Sequence, residues 1–126
     1  MPHIYVEYTE NIKSQANMKE LLPKLHEVLL QREDTFPIGG IRSRAIALQD
    51  YYVADGSAED AFVHVTLKIG KGRSEVEKEE TCTALFQVIE DHFSDLFERN
   101  YLALSLELYE FQNKTWKKNN IHDRFH

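Results

Sequence analysis

The chain begins Met1-Pro2-His3-Ile4-Tyr5-Val6-Glu7-Tyr8, and the pattern of these residues predicts the first element of the fold. An apolar residue at every second position predicts a β-strand with one apolar face, formed by Pro2, Ile4, Val6 and Tyr8. Proline is tolerated at the first residue of a strand because no ladder hydrogen bond is lost there. The sequence therefore predicts a chain start that is held in a sheet instead of fraying.

Pro2 directly follows the initiator methionine, and a small second residue usually allows that methionine to be removed. Removal would leave the proline nitrogen as a free secondary amine, which can bind and release a proton. In the unprocessed chain the same nitrogen is an amide, and its lone pair is delocalised into the carbonyl. Pro2 is therefore a candidate acid–base residue, although Met-Pro is also a common chain start without any chemical role.

Size and composition indicate one globular domain over residues 1–126. The net charge of -6 argues against non-specific nucleic-acid binding, and it makes an anionic substrate dependent on a few well-placed cations. No apolar run is long enough for a membrane span, and no signal peptide is recognisable. The single cysteine, Cys82, excludes an internal disulfide. These features predict a cytoplasmic protein.

The first half of the chain predicts a strand, a helix and a second strand. Asn17 and Glu20 resemble a capping box that starts a helix, whose apolar stripe extends to about Glu33 and is interrupted by Pro23. Alternation then predicts a strand over residues 41–52. One of its faces carries Ile41, Ser43, Ala45 and Ala47, and the other carries Arg42, Arg44, Ile46 and Leu48.

The second half repeats this order. Residues 61–69 predict a third strand with one wholly apolar face. Ser74 and Glu77 form a second capping box, which starts a helix that extends to about Asn100. The apolar stripe of this helix is Cys82, Leu85, Phe86, Ile89, Phe93, Leu96 and Phe97. A fourth strand directs Leu102, Leu104, Leu106 and Leu108 inward, and residues 116–126 predict no regular structure.

Two successive βαβ units predict an α+β fold with one four-stranded sheet and two helices on one of its faces. The other face is predicted to be small and semi-polar, with Ser43, Ala45, Ala47, His64, Thr66 and Ser105. Such a face suits neither a core nor contact with solvent, so we expect it to be buried in an oligomer.

Three arginines are candidate anion-binding residues. Arg42 and Arg44 follow a Gly-Gly turn at the start of the second strand, and Arg73 follows Gly70-Lys71-Gly72 where the second helix begins. Guanidinium groups bind carboxylates bidentately, and helix N-termini favour anions. A lone arginine is more often a simple surface charge, but the comparable glycine-flanked positions favour an anion site.

The remaining reactive residue types predict no further site. The six histidines lack metal-binding spacing, so no metal is expected. His64 is more simply a packed strand residue, and Cys82 is core filler on the helix stripe. The segment 70–74 lacks the spacing of a phosphate-binding P-loop.

Several blocks together resemble one known family. They are Pro2-His3, Phe36-Pro37, Gly40-Ile41-Arg42-Ser43-Arg44, Ala61-Phe62-Val63-His64 and Gly72-Arg73-Ser74, with further matches at residues 54–56, 102–105 and 119–122. The chain resembles the 5-carboxymethyl-2-hydroxymuconate Δ-isomerase family of the tautomerase superfamily over essentially its whole length.

The resemblance implies a trimeric, cofactor-free isomerase that acts in 4-hydroxyphenylacetate degradation through homoprotocatechuate. Pro2 would be the catalytic residue, and Arg42 and Arg73 would bind a small anionic dienol, with Arg44 in a supporting role. One proton would move from the 2-hydroxyl side to carbon 5, leaving a ketone at carbon 2. The alternatives are a related decarboxylase or dehalogenase, or a non-enzymatic trimeric binding protein.

Overall fold

The N-terminal strand lies inside a four-stranded sheet. The computed structural model describes residues 2–32 and 34–125. Its strands are β1 (His3–Thr9), β2 (Arg42–Leu48), β3 (Ala61–Ile69) and β4 (Leu102–Glu110). The strand order is β2-β1-β3-β4, with β1 parallel to β2, β3 parallel to β4, and β1 antiparallel to β3. This is the arrangement expected of two βαβ units, and it confirms the predicted α+β fold.

The helices of the described residues are α1 (Lys13–Ala16), α2 (Met18–Leu30), α3 (Glu75–His92) and α4 (Ser94–Arg99). Helices α2 and α3 contact each other, α2 contacts β2, and α3 contacts β4, so both long helices cover one sheet face as predicted. No helix in the described part of the chain is long and apolar enough to cross a bilayer. Short 3-10 helices occur at Glu10–Ile12, Ile38–Gly40 and Ile121–Phe125. The last of these lies in the tail for which the sequence predicted no regular structure.

The core lies between the sheet and these two helices. Strand alternation and helical periodicity both direct apolar side chains into this layer. Removing each of them from water stabilises the fold by about 1.5–3 kcal/mol. The fully buried members include Ile4, Val6, Val63, Val65, Leu21, Leu25, Leu29 and Ile89.

The first helix begins differently from the prediction. Asn17 has a left-handed φ of 46° and its side chain does not cap the helix. Asn17 Nδ2 instead donates to Glu20 Oε2 at 2.7 Å, so the predicted capping box is wrong. Helix α2 contains Pro23 and ends at Leu30, earlier than predicted. The predicted end at Glu33 lies outside the described residues.

The second helix begins as predicted but is divided near its end. The backbone N–H of Glu77 donates to Ser74 Oγ at 3.1 Å, which confirms the cap. Phe93, at φ -100° and ψ 12°, separates α3 from α4. Because this break turns the last helix, the side chain of Phe97 is 55% exposed instead of joining the apolar stripe. The second strand also ends earlier than predicted, at Leu48.

The two faces of β2 are the reverse of the prediction. Ser43, Ala45 and Ala47 pair in register with the buried residues of β1, and they therefore face the helices. A hydrogen bond of 2.7 Å joins Ser43 Oγ to His26 Nε2 of α2. Small side chains on β2 let α2 approach the sheet, which is why they are not part of the bare face. The prediction placed His64, Thr66 and Ser105 on the bare face, and this part is confirmed by their register with Glu7 and Tyr5.

Candidate active site

Pro2 directly precedes β1, which is an inner strand of the sheet. Its side chain is buried, and its carbonyl oxygen accepts a hydrogen bond from the backbone N–H of Arg42 at 3.2 Å. His3, the next residue, pairs with Arg42 on one side and with Lys68 on the other. The start of the chain is therefore held between two strands, as the sequence predicted.

Arg44 and His3 are in contact on the bare sheet face. Arg44 Nη1 and Nη2 lie 3.2 and 3.1 Å from His3 Nδ1. The Arg44 guanidinium carbon also lies 4.2 Å from the centre of the Tyr5 ring, within the range of a cation–π contact. Since both interactions occupy the Arg44 side chain, this residue holds the His3 ring in place.

The Arg42 side chain faces the same surface, because Arg42 pairs in register with His3. It is half-buried, and its guanidinium has no hydrogen-bond or ion-pair partner within residues 2–32 and 34–125. Arg42 is therefore a cation beside Pro2 that is available to an anion.

Burial lowers the pKa of His3, and the cations Arg44, Arg42 and Lys68 lower that pKa further.

Arg73 is placed differently from Arg42. Its Nη1 donates to Gly70 O at 3.1 Å, its Nη2 donates to Thr35 O at 2.8 Å, and its guanidinium carbon lies 4.5 Å from the Phe36 ring centre. Burial lowers the pKa of Arg73. Its Nε is buried without a hydrogen-bond partner among the described residues. Arg73 thus joins two loops, and part of its hydrogen-bonding capacity remains unused.

A cavity of about 310 Å³ lies beside His3. The Gly70 loop forms one side and the segment after β4 forms the other. Its lining residues are His3, Gly70, Lys71, Phe111, Gln112, Asn113, Thr115 and Lys117. The lining includes two lysines, and the space begins one residue from Pro2, which suits a small anionic molecule.

A second cavity, of about 870 Å³, lies away from His3. It is bordered by Ala61 and Leu102, the first residues of β3 and β4, and by the exposed ring of Phe97. Because β1 and β3 are antiparallel, this cavity lies at the opposite end of the sheet from Pro2. Chemistry at Pro2 cannot use it.

Three contributors to the site were not predicted from the sequence. His3, Lys68 and Phe111 meet there because β1 pairs with β3, and because the chain after β4 returns to the His3 ring, with a centroid distance of 6.2 Å. The adjacency of His3 to Pro2 was a visible signal, but the contributions of Lys68 and Phe111 depend on strand register. In the described part of the chain, no group of three or more His, Cys, Asp or Glu residues is arranged to hold a metal ion.

Comparison with known proteins gives full-length matches. The family described as 5-carboxymethyl-2-hydroxymuconate isomerase matches residues 2–125. The 5-carboxymethyl-2-hydroxymuconate Delta-isomerase of Escherichia coli is 40% identical over 126 residues, covering 99% of each chain. The crystal structure of a 5-carboxymethyl-2-hydroxymuconate isomerase from Deinococcus radiodurans R1 superposes with a TM-score of 0.95 at 53% identity, covering 99% of this chain and 94% of that one.

A more distant match shows how widely the fold is shared. The structure of a fused 4-OT symmetric trimer has a TM-score of 0.59 at 18% identity, covering 93% of this chain and 95% of that one. At this level of identity the likeness concerns the fold alone. The double βαβ subunit thus also occurs in a protein described as a trimer.

Proposed function

The chain belongs to the 5-carboxymethyl-2-hydroxymuconate isomerase family and is an isomerase, and we propose that it converts 5-carboxymethyl-2-hydroxymuconate to its 2-oxo isomer. The observation that carries this proposal is the 40% identity with the Escherichia coli enzyme over the whole chain. The reaction would belong to 4-hydroxyphenylacetate degradation through homoprotocatechuate. It needs one group that removes a proton and returns it elsewhere, so no cofactor takes part in the proposed step.

Pro2 is the proposed base. After removal of Met1 its nitrogen is a secondary amine, and an ordinary α-amine has a pKa of about 7.7–8.0. Burial of the side chain and the nearby guanidinium of Arg42 both disfavour the protonated amine, so they lower its pKa. A neutral amine at working pH can take the proton from the 2-hydroxyl and deliver it to carbon 5, while the double bonds shift and carbon 2 becomes a ketone.

The arginines are proposed to bind the substrate carboxylates. The guanidinium of Arg42, which has no hydrogen-bond or ion-pair partner among the described residues, supports this role directly. Arg73 would contribute the charge of its guanidinium, since its Nη1 and Nη2 hold the loops at Gly70 and Thr35 and its Nε is buried. Charge-assisted, bidentate contacts with carboxylates would orient the dienol and stabilise negative charge that develops during proton transfer.

An ultraviolet assay tests the proposed reaction. Purified protein is mixed with the 5-carboxymethyl-2-hydroxymuconate dienol, and the loss of dienol absorbance is followed in water and in D2O. We expect rapid conversion, with one deuterium incorporated at carbon 5. Carbon dioxide release would instead identify a decarboxylase, and halide release from a halogenated acid would identify a dehalogenase. No reaction with any of these acids would favour a non-enzymatic binding protein.

We propose that the working form is a homotrimer whose bare sheet faces are buried between subunits. This face exposes large apolar side chains, since Ile46 is 44% and Tyr109 is 46% exposed in the single chain. The edge strands β2 and β4 each have one side without a strand partner in the described sheet. Buried subunit contacts would cover both features.

Sedimentation of the wild-type chain at micromolar concentration should show a trimer. Ile46→Asp should dissociate it, because a carboxylate would then be buried in the interface without a partner. Val76→Asp is the matched control, since Val76 lies on α3 and is 65% exposed. A stable wild-type monomer would contradict the proposal, as would equal effects of the two substitutions.

A further inference from the structure

The His3 ring has one nitrogen in contact with Arg44 and one without a hydrogen-bond partner in the described part of the chain. Nδ1 lies 3.2 and 3.1 Å from the two terminal nitrogens of Arg44. Nε2 makes no hydrogen bond within residues 2–32 and 34–125. Because a guanidinium group can only donate hydrogen bonds, Nδ1 must accept, and the ring proton of neutral His3 lies on Nε2.

The surroundings of His3 keep this ring neutral. Arg42 and Arg44 face it from β2, Lys68 faces it from β3, and Lys71 and Lys117 line the adjoining cavity. An imidazolium would lie among these cations and would also lose its contact with Arg44, because both groups would then be donors. His3 is therefore a neutral hydrogen-bond donor, whereas the cations around it can attract an anion.

His3 is one of the residues that line the 310 Å³ cavity, so a molecule bound there can contact its ring. Arg44, which lies against Nδ1, is not among the residues that line this cavity. The Phe111 ring meets the His3 ring edge-on, at a centroid distance of 6.2 Å and an interplanar angle of 81°. Arg44 on one side and Phe111 on another limit the orientations of the ring.

We propose that His3 donates a hydrogen bond from Nε2 to the 2-oxygen of the substrate, and that Arg44 positions His3 by donating to Nδ1. This inference rests on the proposed isomerase function. The 2-hydroxyl proton passes to the Pro2 amine and then to carbon 5, so negative charge develops on the 2-oxygen. His3 keeps its own proton throughout and stabilises that charge. Neutral imidazole can polarise a substrate oxygen in this way.

The closeness of His3 to the proposed base favours the 2-oxygen over a distant carboxylate. His3 directly follows Pro2 in the chain, and neighbouring Cα atoms lie about 3.8 Å apart, so we place the 2-oxygen, whose proton Pro2 removes, within reach of both residues. A donor that acts on developing charge stabilises the transition state more than the bound substrate. Its removal should therefore lower kcat and leave KM nearly unchanged.

Two substitutions separate the donor from the contact with Arg44. His3→Asn retains an oxygen near the position of Nδ1, which can accept from Arg44, but it has no donor near the position of Nε2. His3→Gln retains an amide N–H near the position of Nε2. We expect His3→Asn to lower kcat by about 10²-fold and His3→Gln to recover at least about tenfold of that loss. Equal losses in both variants, or a loss confined to KM, would overturn the proposal.

Nitrogen-15 NMR of the imidazole tests the positioning role of Arg44 without any assay of turnover. In the wild-type chain at pH 7, the proton should be on Nε2 alone. Arg44→Met should raise the pKa of His3, because a neighbouring cation is removed, and should allow both tautomers. A proton on Nδ1 in the wild type would overturn the arrangement. If the wild-type chain does not convert the dienol, the proposed function fails and the substrate contact fails with it, while the NMR result still decides the role of Arg44.

Discussion

A chain that keeps Met1 is expected to be about 10²–10⁴-fold less active than the processed chain, which is the usual contribution of one acid–base group. With Met1 attached, the Pro2 nitrogen is a tertiary amide and cannot take up a proton near neutral pH. The two forms can be prepared by expression with and without inhibition of methionine aminopeptidase. Intact-mass measurement and a rate measurement on each sample check the prediction. Full activity in a wholly Met1-blocked preparation would mean that Pro2 is not the base.

Pro2→Ala in a processed chain is the matched control for this experiment. It keeps a free α-amine, but the amine is primary and less fixed in position. We expect activity between those of the processed and blocked wild-type chains. The acidic limb of the pH–rate profile should also move to lower pH, because a primary amine is less basic than the secondary amine of proline. An unchanged profile would show that the limb belongs to another group.

Arg42→Ala is expected to lower kcat/KM by about 10- to 150-fold, which corresponds to the loss of a charge-assisted contact of about 1.5–3 kcal/mol. The fold should be unaffected, since the Arg42 side chain has no hydrogen-bond or ion-pair partner in the described residues. Steady-state kinetics and urea unfolding of the same samples check both parts. Wild-type kcat/KM in this variant would remove Arg42 from the anion site.

Arg32→Ala is the control for a general loss of positive charge. Arg32 pairs with Glu80 at 3.3 Å and lies outside the site, so kcat/KM should stay unchanged. Arg73→Ala should lower kcat/KM as Arg42→Ala does, but it also removes hydrogen bonds to Gly70 O and Thr35 O. Each of these contributes about 0.5–1.5 kcal/mol. Arg73→Ala should therefore also reduce the free energy of unfolding.

Local sequence patterns determined those strands and caps whose formation depends on residues that are close together along the chain. Alternation predicted the strand at residues 61–69 with its observed bounds, and the Ser74 cap appeared at its predicted position. The order of strands and helices then led to the double βαβ fold, because right-handed crossovers leave few other arrangements. Pro2 and the three arginines could also be identified from the sequence, because their chemistry and their neighbours are visible along the chain.

Only the tertiary structure decided which groups meet. Alternation divides β2 into two faces, but strand register decides that Ser43 and Ala45 face the helices while Arg42 and Arg44 face His3. The contact between His3 and Arg44 joins residues 41 positions apart, and that between Arg73 and Thr35 joins residues 38 positions apart. Such contacts depend on the packing of separate elements, whose positions no local pattern encodes. The sequence by itself therefore determined the fold and the candidate residues, whereas packing decided which arginine has no partner among the described residues and which nitrogen of His3 contacts Arg44.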